Sequence, residues 1–347
     1  MQKRPVCFML RVMSAAAVAA TLSFGFAVPA GAEPAPDGAT APGSEPTAAV
    51  DAAADSARIV EIREISPTHS VVDVYSPSMG RVISNDVLRP ATGGSLPTLY
   101  LLNGALGNED GVGWINNSGA PAFFADKNVT VVLPIGGRFS FYTDWDRADP
   151  VLGVNMWQTY LTQELPPVMD AHFSGTGLDA VAGLSMSGGP ALDLAIQAPG
   201  RYRAAASFSG CPAPSSFLAS FGISTMIASG LNNPFNMWGL PGSAAWRAHD
   251  PALNVEKLRG TAVYVSASRG ATGAVDRIPA GAIPPIGGMV VEGLVHRCTE
   301  MFVDALNAAN VPATVSMRDT GAHTWALFED QLREAWRTTI APALATR

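Results

Sequence analysis

Residues 181–189 read "VAGLSMSGG", a serine hydroxyl set among side chains that are nearly absent. Ser185 follows a short apolar run and precedes a helical stretch. That is the context of a nucleophile elbow, in which a serine occupies a tight strand-to-helix turn and small residues two before and two after relieve the crowding. Gly183 and Ser187 hold those two positions. Ser187 departs from the G-x-S-x-G pattern, in which a second glycine is usual. Pro190 falls in the first turn of the following helix, where amide hydrogens lack intrahelical partners in any case.

A serine hydroxyl is a weak nucleophile at neutral pH. It needs a base to take its proton and donors to receive the oxyanion. The turn aims the N–H of Met186 at the reacting oxygen, and the helix N-terminus adds partial positive charge. Where a serine sits on such an elbow, the acid and the histidine follow it in the chain. His69 and His172 are thereby excluded, leaving His249, His296 and His323. Of these His323, in "RDTGAHTW" after the last apolar run, occupies the loop where the base belongs. Two acids compete: Asp276, in the loop after the run at 261–268, and Glu292, in "MVVEGLVHRC". Spacing does not separate them. A second oxyanion donor is expected in "LLNGALGNEDGVGW" (101–114), at a backbone N–H near Ala105.

These residues need a frame. "RIVEIREI", "HSVVDVYS" and "RVISNDVLRP" read as strands joined by turns. Six further runs read as buried strands: 98–103, 129–135, 178–183, 203–210, 261–268 and 313–319. Helical spacing marks 155–173, 191–200, 295–311 and 330–345 between and after them. Continuous apolar strands alternating with helices predict an α/β domain with a mostly parallel sheet covered on both faces, the α/β-hydrolase architecture given the elbow. Residues 211–260 interrupt the alternation with Pro, Gly, Asn and Trp and no clear strand. A long excursion of that kind tends to form a lid or a binding wall.

The chain ends bound its setting. Lys3, Arg4 and Arg11, an uncharged apolar stretch and "AGA" at 30–32 predict a secretory signal peptide over 1–32, cleaved near Ala32. Residues 33–57, rich in Ala, Pro, Gly and acids, read as a disordered linker, leaving 58–347 as the catalytic domain. Losing three basic residues and no acids takes the net charge from −7 to −10. No basic cluster or stripe appears, so nucleic-acid binding is not expected. Cys7 leaves with the leader, and the remaining pair, Cys211 and Cys298, is expected to form a disulfide in an exported protein.

Several segments, in order over 95–345, together resemble the secreted mycolyltransferases of the antigen 85 type, and more closely their corynebacterial and nocardial relatives. They are "YLLNGALGNEDGVGW", "PIGGRFSFYTDW", "WQTYLTQELP", "GLSMS", "NMWG", "AWRAHDP" and "GAHTW". The resemblance implies a triad of Ser185, Glu292 and His323, since "VVEGLVHRCTEMF" is similar to the family's acid-bearing segment. It implies the backbone N–H groups of Met186 and Ala105 as the oxyanion hole, and Trp325 as a residue flanking the sugar. The cysteine positions resemble a pair in the corynebacterial branch. Asn103 and Leu106 stand where the mycobacterial enzymes place an Asp and an Arg that contact trehalose, so Asn103 is expected at the substrate site, while the departure leaves the sugar contacts and the acceptor open.

The expected activity is a secreted serine acyltransferase working without metal or cofactor. Its donor is an acylated trehalose, by resemblance trehalose monomycolate. Its acceptor is a second trehalose monomycolate or cell-wall arabinogalactan. The rivals are a carboxylesterase that gives its acyl group to water and a non-catalytic wall-binding protein on the same fold.

Overall fold

The computed structural model describes residues 56–346, so the expected signal peptide and nearly all of the expected linker lie outside the described residues. Nine strands form one sheet: β1 (Arg58–Ser66), β2 (His69–Ser76), β3 (Arg81–Leu88), β4 (Thr98–Leu102), β5 (Thr130–Pro134), β6 (Asp179–Leu184), β7 (Tyr202–Phe208), β8 (Ala262–Ala271) and β9 (Thr314–Thr320). Their order is β1-β2-β3-β5-β4-β6-β7-β8-β9. Pairing is antiparallel from β1 to β5 and parallel from β5 to β9. Every strand expected from the sequence is present.

The parallel strands are buried because both faces are covered. On β4, Tyr100 and Leu102 join one apolar cluster while Leu99 and Leu101 join the other, as the two-residue period of a strand requires. One cluster includes Trp157, Leu192 and Phe302; the other includes Phe208, Phe328 and Trp336. All six residues of β6 are buried. The outermost β1 is exposed along most of its length.

Five longer helices flank the sheet: α1 (Leu165–Phe173), α2 (Gly188–Gln197), α3 (Phe217–Ser229), α4 (Ile286–Ala308) and α5 (Trp325–Ala335). The helix expected over 155–173 begins at Trp157 and widens to a π turn over Tyr160–Glu164 before α1. Pro166 and Pro167 bring no N–H, so the carbonyls of Thr162 and Gln163 lose their usual partners and the turn expands. Helix α4 starts nine residues earlier than the apolar spacing suggested. Gly287, Gly288 and Gly293 disguise it as a loop. The glycine at 288 is required: a Cβ there would lie 2.5 Å from the Ala322 carbonyl oxygen. The excursion at 211–260 holds α3 and several shorter helical turns, with no strand. No helix among the described residues is long and apolar enough to cross a membrane.

The registers bring six loop origins to one end of the sheet. Leu102 pairs with Gly183, Leu184 with Phe208, Phe208 with Ser266 and Ser268 with Arg318. The chain leaves β4, β5, β6, β7, β8 and β9 at this carboxyl end, where open α/β sheets bind ligands. A disulfide between Cys211, just after β7, and Cys298 on α4 ties the excursion to the helix, over a sequence separation of 87. Closing so long a loop restricts the unfolded chain. Replacing both cysteines by alanine is expected to lower unfolding free energy by about 2–4 kcal/mol in denaturant titrations. An unchanged midpoint would show that the bridge adds no stability.

Candidate active site

Strand β6 ends at Leu184 in extended backbone, and Ser185 then turns left-handed at φ +55°. Such a conformation costs a side-chain-bearing residue about 1–3 kcal/mol and persists only where the surroundings enforce it. The enforcement is visible. A Cβ on Gly183 would fall 2.3 Å from the Ser187 carbonyl oxygen, and one on Gly189 would fall 2.4 Å from that of Cys211. Ser187, where a glycine is usual, has its own task. It is fully buried, its Oγ accepts from the Leu184 N–H at 3.0 Å and it donates to the Leu184 carbonyl at 3.0 Å. The turn is thus closed by a side chain, and α2 starts directly behind the Ser185 hydroxyl.

The three residues implied by the resemblance are in contact. Ser185 Oγ lies 2.8 Å from His323 Nε2, and His323 Nδ1 lies 2.6 Å from Glu292 Oε2. The tautomer that suits this line carries its proton on Nδ1, so that the hydroxyl donates to Nε2 and the ring donates to the carboxylate. Glu292 has no exposed surface. A buried carboxylate is tolerated only when its lone pairs are met. Its second oxygen, Oε1, accepts from the Ser209 hydroxyl and from the Ser268 N–H, each at 2.7 Å. Ser209 in turn accepts from Gln331 Nε2 at 2.9 Å.

Asp276, the other acid left open by spacing, does not touch the imidazole. Its Oδ1 accepts from the Ala322 N–H at 2.8 Å and the Thr324 hydroxyl at 2.9 Å, the residues on either side of His323. Its Oδ2 accepts from the Gly273 N–H at 2.8 Å. One carboxylate holds the ring and the other holds the backbone that carries it. His323 itself is left-handed at φ +58°, and its ring stands perpendicular to that of Phe328 with centroids 4.9 Å apart. His249 pairs with Asp193 at 2.7 Å and stacks on Trp238, and His296 sits on α4 near Glu300. Neither contacts Ser185.

The loop after β4 abuts the serine: a Cβ on Gly104 would lie 3.9 Å from Ser185 Cβ. Asn103 is 1% exposed. Its Nδ2 donates to the Pro134 carbonyl and its Oδ1 accepts from the Trp114 N–H. The structure therefore occupies the Asn103 amide with holding the loop, and it is Gly104, Ala105 and the exposed Leu106 that face outward. Trp325 begins α5 two residues after His323, half-buried and edge-on to Trp114 at 5.6 Å. Ser209, Ser268 and Gln331 carried no signal in the sequence, because a serine in an apolar strand and a glutamine in an amphipathic helix are ordinary there.

An apolar cavity of about 460 Å³ opens at Ser185 and Met186. Phe141, Leu218, Ile223 and Met226 form one part of its wall, and Leu294 and Val295 of α4 another. The excursion at 211–260 thus supplies a wall, through α3. Along this helix Phe217, Leu218 and Phe221 are more than half exposed, and Leu218 and Phe221 also line the cavity.

A family model described as "Putative esterase" matches residues 76–339. The chain is 35% identical over 275 residues to "Diacylglycerol acyltransferase/mycolyltransferase Ag85A" of Mycobacterium tuberculosis, spanning 75% of this chain and 77% of that protein. It is 33% identical over 363 residues to the Ag85C protein of the same description from Mycobacterium avium, spanning 96% and 91%. The crystal structure of Mycobacterium tuberculosis MPT51 superposes with a TM-score of 0.66 at 28% identity, over 78% of this chain and 96% of that one. An S-formylglutathione hydrolase from Agrobacterium tumefaciens, at 18% identity and a TM-score of 0.60, shares the fold.

The two carboxylates make different demands on a variant. Glu292→Gln keeps the shape but loses the charge that orients the ring, and the rate of Ser185 labelling by a fluorophosphonate is expected to fall about 10³–10⁴-fold. Asp276→Asn keeps an acceptor for the loop, and labelling is expected to stay within about tenfold of the parent. The reverse order would assign the acid to Asp276.

Proposed function

The chain belongs to the esterase family, in its antigen 85 group of acyltransferases, and from that premise we propose that it is a secreted serine acyltransferase that moves a mycoloyl group between sugars. The observation that carries the reading is the unbroken line from Ser185 through His323 to Glu292, opening on an apolar cavity.

His323 Nε2 takes the proton of Ser185 as Oγ attacks the ester carbonyl of an acylated trehalose. Glu292 holds the ring and stabilises the imidazolium. The oxyanion is received by the N–H groups of Met186 and Ala105. As the tetrahedral adduct collapses, His323 gives its proton to the departing trehalose oxygen, and the acyl group stays on Ser185. A hydroxyl of a second trehalose monomycolate, or of arabinogalactan, then repeats the steps in reverse. The relatives' names also include diacylglycerol acyltransferase, which makes the hydroxyl of a diacylglycerol a further acceptor class. The lipid chains lie along α3 and α4, and Trp325 flanks the sugar. Closely fitted walls favour transfer over hydrolysis by limiting water. A leader over 1–32 delivers the chain to the envelope, where its substrates are.

The test incubates the exported protein and its Ser185→Ala variant with trehalose monomycolate and resolves the products by chromatography and mass spectrometry. Dimycolate from the parent alone is the expected result. Free mycolate with no transfer product, even when sugar acceptors are added, would give the esterase reading. Binding without turnover by either protein would give the wall-binding reading.

A further inference from the structure

Residues 136–142, "GGRFSFY", follow β5 in a conformation that ordinary side chains avoid. Gly136 and Gly137 have φ of +127° and +78°, and Phe139, Phe141 and Tyr142 have φ of +54°, +56° and +46°. Three bulky left-handed residues in four positions are kept only where other contacts over-determine them, and such strain clusters at functional sites.

The contacts centre on Ser140, which is fully buried. Its hydroxyl donates to the Gly137 carbonyl at 2.7 Å and accepts from the Tyr142 N–H at 3.1 Å. Its own carbonyl accepts from Trp145 Nε1 at 2.9 Å. Tyr142 O–H donates to the Gly136 carbonyl at 3.1 Å. Burial raises the Tyr142 phenol above its ordinary range, which keeps that proton in place. The segment is a rigid strap.

Two of its amides reach outside it. Gly136 N–H donates to the Gly107 carbonyl and Phe139 N–H to the Ala105 carbonyl, each at 2.8 Å. Both acceptors lie in the loop after β4, whose turn is closed by Gly107 N–H to the Gly104 carbonyl at 3.0 Å. The approach is close: a Cβ on Gly107 would fall 2.3 Å from the Gly136 carbonyl oxygen. Further along the strap, Phe141 lines the cavity beside Ser185 and Met186. One strained segment therefore touches both the loop that carries Ala105 and the wall of the apolar cavity.

We propose that residues 136–142 are a positioning element, which fixes the Ala105 N–H relative to the cavity wall at Phe141 so that a seated acyl chain presents its carbonyl to that donor. The inference rests on the reading of Ala105 as an oxyanion donor. It assigns the strain a purpose, because a flexible strap would let donor and wall drift apart. Misplacement by about 1 Å can cost about 10²-fold in rate.

The test uses rapid mixing with p-nitrophenyl butyrate, separating the acylation rate constant from the apparent substrate affinity. Gly107→Ala wedges the loop off the strap, and Ser140→Ala removes the hydroxyl that organises it. Neither touches Phe141 or the Ser185 line. Acylation is expected to fall about 10²-fold in Gly107→Ala and about tenfold in Ser140→Ala, with affinity within about threefold of the parent in both. Near-UV circular dichroism reports whether each variant is folded. Folded variants that acylate at the parent rate, or that lose affinity while keeping the acylation rate, would overturn the proposal. So would failure of both to fold, which would make the strap a folding element. A parent protein that the ester does not acylate at all would instead overturn the acyl-transfer reading itself.

Discussion

The elements that meet behind Ser185 are arranged around one buried carboxyl group. Glu292 has no contact with solvent, and an ionised carboxylate in that position is stable only with donors on both oxygens. Its donors come from separate elements: the Ser209 hydroxyl after β7, the Ser268 N–H within β8 and the His323 ring after β9. Gln331 of α5 adds a bond to Ser209 from behind. The carboxylate can be satisfied only if these elements converge, and their convergence sets the imidazole against Ser185. The disulfide between Cys211 and Cys298 helps to fix this geometry, because it anchors the helix that bears Glu292 to the segment following β7.

A second constraint is room. The turn at Ser185 exists because Gly183, Gly188 and Gly189 let strand, turn and the segment at 210–212 approach to distances that no Cβ would permit. The same device recurs at Gly288, where α4 lies on the histidine loop, and at Gly107, where the loop after β4 lies on the strap. These glycines are needed where backbone meets backbone around the site. Larger apolar side chains fill the two faces of the sheet.

The strands were legible because burial on both faces writes a continuous apolar run into each one. Their order was not, since β5 lies between β3 and β4 by a crossover that leaves no local mark. The flanking residues of Ser185 and His323 singled them out, and the structure brings their side chains into contact. Which carboxylate reaches the imidazole was not legible, for a physical reason: Asp276 bonds the backbone beside His323 and Glu292 bonds its ring, and spacing does not say which way a side chain points. The resemblance to the antigen 85 group supplied what the pattern lacked. Helix α4 was read too short because its glycines, needed for close approach, mimic a loop. The segment at 136–142 stands within "PIGGRFSFYTDW", but its strained backbone was not legible, because left-handed Phe139, Phe141 and Tyr142 contradict their own propensities and only the tertiary contacts explain them.

The central claim is that Ser185 carries the acyl group. A synthetic trehalose monoester, mixed with the protein without added acceptor and quenched in acid during turnover, tests it most directly by intact and peptide mass spectrometry. The account predicts a mass increase equal to the acyl group, located on the peptide that contains Ser185. Turnover with no adduct, or an adduct on any other residue, would contradict it.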